Sequence, residues 1–252
     1  MAPTRPAGGA PGAPLFLQGP DGPWEETGDR LEEQGHAVLC TTWGQWLTAV
    51  LLDPALRPLL GNHWPRFRQT PAAAGRIRFA VSHFVMKYAA ATALDVPVHA
   101  LEAGHGPHGR PVLRGPGAAA EVALAHCGEL IVVGVSRTGP VGVHAEPADR
   151  DLRVGPLREQ VCTPQEAAAL DALPEGEHRA HLLRLWTLKE ACAGILQDAG
   201  RPARSTYGLG RDDQGRTTLT GTGRTRAPAG EWTLATHLVQ GRYLIGEAHR
   251  TP

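Results

Sequence analysis

The chain has 252 residues, 42% of them hydrophobic, enough for one large domain or two small lobes. Its 25 basic residues balance 25 acidic ones, which excludes a bulk electrostatic grip on nucleic acid. No apolar run approaches the roughly 18 residues that cross a bilayer, so no membrane role is expected.

Residues 1–35 read as a poorly ordered arm, because Gly and Pro recur there without apolar periodicity. No apolar signal-peptide centre is present in it. Residues 36–43 have strand character, and the apolar stretch 47–60 is a helix broken by Pro54 and Pro58. From Arg76 to Leu94, the apolar Ile77, Val81, Phe84, Tyr88 and Ala91 recur at steps of four and three, which predicts an amphipathic helix. His83 and Lys87 are among its polar positions. Short strands are predicted at 98–102, 110–113, 122–126, 130–135 and 141–146, separated by Gly/Pro turns such as Gly104-His-Gly-Pro-His-Gly109.

Thr163-Pro-Gln-Glu166 has the pattern of a capping box with proline at the first helical position. Residues 177–197 read as a long helix, and 216–220, 231–239 and 243–248 as strands, the last two joined by a hairpin at Gln240-Gly241. This order predicts an α+β fold of two similar lobes, residues 36–135 and 136–252, each a small, mainly antiparallel sheet packed on a long helix. No sequence repeat between the halves is evident. Cys40, Cys127, Cys162 and Cys192 form no CxxC pair, so reduced thiols and a cytoplasmic location are expected. Among the 25 basic residues only Lys87 and Lys189 are lysines, a bias typical of high-GC bacterial sequences.

Generic catalytic motifs are absent: no GxSxG, HExxH or Walker loop occurs. Three separated segments are more specific together. They are Gly109-Arg-Pro-Val-Leu113 followed by Val122-Ala-Leu-Ala-His-Cys127, then Val141-Gly-Val-His-Ala-Glu146, then Leu185-Trp-Thr-Leu-Lys-Glu-Ala191. From Arg76 onward the chain resembles the two-lobed, monomeric 4′-phosphopantetheinyl transferases. The resemblance implies transfer of 4′-phosphopantetheine from coenzyme A to a serine of an acyl or peptidyl carrier protein. It implies that Arg110 and His126 contact coenzyme A and that Lys189 sits beside its diphosphate. Glu146 and Glu190 would hold Mg2+ or another divalent cation, with His144 standing where the family carries an aspartate ligand.

The departures leave other readings open. Imidazole is a poor magnesium ligand, Gly194 takes the place of a second lysine, and Gly200-Arg-Pro-Ala203 replaces a Gly-rich stretch. Ala125 replaces a small hydroxyl residue before His126. A catalytic His144, with Lys189 and Glu190, suits a transferase with an altered metal site. It also suits a metal-independent enzyme acting on a coenzyme A thioester or a carrier-bound intermediate. A non-catalytic binder of coenzyme A or a carrier is the third reading. Residues 149–151 read as a solvated loop, and Trp186 as core packing rather than a substrate contact.

Overall fold

The computed structural model describes residues 11–52, 54, 56–106, 110–115, 120–196, 203–211, 213, 215–221 and 230–251. In chain order the strands and helices begin with β1 (Leu15–Phe16), α1 (Trp24–Gln34), β2 (His36–Thr42), α2 (Leu47–Leu52), α3 (Leu56–Leu60), α4 (Trp64–Gln69) and α5 (Ala73–Leu94). Next come β3 (Glu102–His105), β4 (Pro111–Arg114), β5 (Glu121–Cys127), β6 (Leu130–Ser136) and β7 (Val141–Pro147). The rest are α6 (Val154–Val161), α7 (Pro164–Asp171), α8 (Glu175–Ile195), β8 (Tyr207–Arg211), β9 (Thr217–Gly221), β10 (Glu231–Val239) and β11 (Tyr243–Thr251). No described helix is long and apolar enough to cross a membrane.

Alternation along the strands builds four layers. Leu39, Ile131 and Val133 turn one face of the sheet β1-β2-β6-β5 onto Val81, Phe84 and Val85 of α5. Their neighbours Val38, Cys40 and Val132 turn the other way and meet Val143, Ala145 and Ile245 of the sheet β10-β11-β7. Leu234 and Ala248, on the far face of that second sheet, pack on Leu188 and Cys192 of α8. The order is helix, sheet, sheet, helix, an α+β architecture. Residues 142, 144 and 146 share the face of β7 turned toward α8.

The helix approaches that face closely because two glycines admit it. A methyl group at Gly142 would collide with the carbonyl oxygen of Ala191, and one at Gly246 would lie 2.6 Å from the carbonyl oxygen of Thr187. Gly142→Ala is therefore expected to destabilise the fold by about 3 kcal/mol, since backbone cannot yield as a side-chain tip does. Urea unfolding reads the loss as a lower midpoint at unchanged slope.

The two halves repeat one topology. A strand (β2 or β7) leads to a long helix (α5 or α8), a two-stranded hairpin (β3–β4 or β8–β9), and a second hairpin. The last strand of that second hairpin, β6 or β11, returns beside the first strand. The chain's two lysines occupy matching places. Lys87 and Lys189 are each the fifteenth residue of their helix and buried. Each donates to a backbone carbonyl 28 residues earlier, Leu59 at 2.9 Å and Val161 at 2.7 Å.

Several sequence expectations need correction. Within the stretch read as an arm, β1 pairs with β2, and α1 ends on Gly35 in the left-handed conformation. Trp24 stacks on Tyr88 with centroids 5.6 Å apart; residues 1–10 lie outside the described set. Residues 98–100 form a 3-10 turn rather than a strand. His83 and Lys87 are buried rather than on a polar face. Helix α6 and strand β8 were not anticipated. The capping box at Thr163 forms with both of its hydrogen bonds. Positive φ at Gln240 and Gly241 makes the expected tight hairpin turn.

Candidate functional site

Glu146 is the centre of the site. It is the last inward-turned residue before β7 ends, and only 9% of its surface is exposed. Its Oε1 accepts from His144 Nε2 at 2.9 Å, from Trp186 Nε1 on α8 at 3.0 Å, and from the Arg150 guanidinium. Burial by itself pushes the Glu146 pKa up. The hydrogen bonds from His144 and Trp186 and the charges of His144 and Arg150 outweigh that, and the carboxyl sits below its usual range. A carboxylate only accepts, so the bond to His144 fixes the imidazole proton on Nε2 and leaves Nδ1 with the lone pair when the ring is neutral.

Asp149 and Asp151 are exposed in a loop as expected, whereas the Arg150 side chain is tied to Glu146, which corrects the reading of 149–151 at that one residue. Its backbone N–H donates to the Pro147 carbonyl at 3.1 Å, closing a turn after β7. Arg179 of α8 grips the carbonyls of Asp149 and Arg150. Trp186 is likewise more than packing, because its indole N–H is spent on Glu146. Sequence reasoning missed Arg150, although its spacing of four from Glu146 is that of an ordinary local ion pair.

Lys189 is not at this site. It is fully buried, and its ammonium meets the carbonyls of Val161, Arg204 and Tyr207 at 2.7–2.9 Å and Glu166 Oε2 at 2.6 Å. Three N–H donors facing four acceptors leave none for a diphosphate. The role beside coenzyme A is therefore corrected to that of a strut. Burial lowers the lysine's pKa, and Glu166 opposes the shift. Glu190, one turn after Trp186, pairs with Arg204 Nε at 2.8 Å.

The coenzyme A candidates of the first half have partners of their own. Arg110 pairs with Glu121 at 3.0 Å, at the start of β5. His126, near the other end of that strand, is exposed and holds Ser82 Oγ of α5 at 2.7 Å. It faces α5, whereas His144 and Glu146 face α8. Cys127 points the opposite way from His126, as strand alternation requires, and burial raises its pKa. It lines a hollow of about 540 Å³ with Pro147, Asp149, Arg242 and Tyr243.

The metal implied by the resemblance does not fit the donors present. One oxygen of Glu146 already serves an imidazole, an indole and a guanidinium, and Glu190 serves a second guanidinium. Among the described residues, no group of three or more His, Cys, Asp or Glu side chains is arranged to hold a metal ion. That includes the histidines 63, 83 and 105, whose rings cluster beside Phe79.

Residues 140–200 match the family model described as ACPS, the 4′-phosphopantetheinyl transferase superfamily. A Synechocystis sp. protein named "Putative 4′-phosphopantetheinyl transferase" is 30% identical over 159 residues. That alignment takes in 56% of this chain and 61% of the length of the relative. Among solved structures, the holo-ACP synthase of Plasmodium yoelii aligns at a TM-score of 0.32 with 17% identity, over 44% of this chain and 91% of its own. The resemblance read from the third motif thus holds over β7 and α8.

Proposed function

We propose that the chain transfers 4′-phosphopantetheine from coenzyme A to a serine of an acyl or peptidyl carrier protein. One observation carries this reading. The segment matching the family model, residues 140–200, contains the two elements on which His144, Glu146 and Trp186 meet. In the reaction, the carrier serine oxygen bonds to the β-phosphorus of coenzyme A, the bridging P–O bond breaks, and adenosine 3′,5′-bisphosphate leaves. The serine proton goes to Nδ1 of His144, which Glu146 orients and whose positive charge Glu146 then balances. Arg110 and His126 would bind the nucleotide end. The lobes 36–135 and 136–252 would act as one cytoplasmic monomer.

A second reading is favoured by the same His144–Glu146 pair, because it is an acid–base unit in its own right. That pair would serve metal-free chemistry on a coenzyme A thioester or a carrier-bound intermediate. The test is incubation with coenzyme A and a panel of apo carrier proteins, followed by intact mass. Transfer adds the phosphopantetheine mass to the carrier, and His144→Ala removes the gain. Unmodified carriers throughout, beside a control transferase that modifies them, would reject the first reading.

A further inference from the structure

We propose that the guanidinium groups of Arg150 and Arg204 stand in place of a divalent cation between the carboxylates and the diphosphate. The inference deepens the transferase reading and rests on it for the identity of the phosphate ligand. Phosphoryl transfer from a diphosphate needs positive charge at the bridging and non-bridging oxygens. A bound magnesium ion would supply two charges, held by carboxylates on one side and open to phosphate on the other. Here each carboxylate already holds a monovalent cation of its own, Arg150 on Glu146 and Arg204 on Glu190. Together the two arginines carry the same two charges.

The geometry suits an outward-facing cation at Arg150. Its side chain is 39% exposed while that of Glu146 is 11% exposed, so the carboxylate anchors from within and the fork reaches outward. A guanidinium has five N–H donors in one plane, and the bond to Glu146 leaves others for phosphate oxygens. The turn closed on Pro147 and the grip of Arg179 fix the backbone from which the guanidinium extends to Glu146. His144 completes the logic. Where an acidic ligand would demand a divalent ion, the imidazole instead donates to Glu146.

The experiment has two arms on the full chain. In the first, Mn2+ is titrated into the protein alone and followed by calorimetry and by the spin-resonance signal of free ion. No saturable site is expected in the wild type, while His144→Asp combined with Arg150→Ala gains one. A stoichiometric Mn2+ site in the wild type that Glu146→Gln abolishes would overturn the proposal. In the second arm, coenzyme A binding is measured in excess chelator and then with added Mg2+. Equal affinity in both is expected, with a loss of about tenfold or more in Arg150→Gln and a smaller loss in Arg150→Lys. Affinity that appears only with Mg2+, or is unchanged in Arg150→Gln, counts against the arginines. If the wild type binds no coenzyme A in either condition, the transferase reading fails by itself, and the Mn2+ arm still decides what balances the carboxylates. Circular dichroism confirms that each variant is folded.

Discussion

Lys189→Met is expected to cost about 3–5 kcal/mol of unfolding free energy, since it leaves a buried partner charge behind. The ammonium joins four parts of the second half: the end of α6 at Val161, the cap of α7 at Glu166, the segment before β8 at Arg204, and β8 at Tyr207. Without it, three carbonyls lose their donor. Glu166 keeps its bonds to the backbone N–H groups of Thr163 and Leu209 but loses the cation that balances it. Lys189→Arg should rescue little, because a planar fork does not replace a compact tripod in a closed site. Combining Lys189→Met with Glu166→Gln should recover part of the loss, since the stranded charge is then gone. Urea or thermal unfolding of the four proteins checks this. A cost below about 1 kcal/mol for Lys189→Met, with carrier modification abolished in a folded protein, would return Lys189 to the diphosphate.

The lysines show why part of the site was legible and part was not. A chain that writes nearly every basic position as arginine, yet keeps two lysines, marks those positions as needing a small tripodal cation. That signal points to Lys189, whereas Lys87 was read only as a polar position of its helix. It could not tell whether the acceptors were phosphate or backbone carbonyls, because the acceptors come from residues 15–28 positions away. The matching place of Lys87 in α5, visible only with both helices in view, favours the structural role. His144 and Glu146 were legible for the opposite reason. Two residues apart on a strand, they share a face by alternation alone. Arg150 comes to Glu146 from a turn with no periodic signature and was read as solvated, and the sequence pattern said nothing of Arg204, the partner of Glu190. The same contrast runs through the fold. The periodic helices α5 and α8 and the hairpin β10–β11 were readable, whereas α1 was masked by the Gly/Pro-rich residues before it.

Glu146→Gln is expected to lower kcat/KM for carrier modification by about 10²–10³-fold, the size of losing one preorganised electrostatic group. The amide keeps the shape of the carboxyl and an oxygen for Trp186, so the unfolding midpoint should move little; Arg150, partly exposed, keeps water as a partner. What is lost is the negative charge that balances His144 once it has taken the serine proton and that fixes Nε2 as the protonated nitrogen. His144→Ala should give a loss of similar size. Residues acting as one unit are not additive, so Glu146→Gln with His144→Ala should be little worse than either alone. Rates from intact-mass time courses at saturating and limiting coenzyme A separate the outcomes. A fall mainly in kcat places the pair in the transition state, whereas a fall confined to coenzyme A affinity would make Glu146 only an anchor for Arg150. Activity in Glu146→Gln within threefold of the wild type would remove the pair from the chemistry altogether.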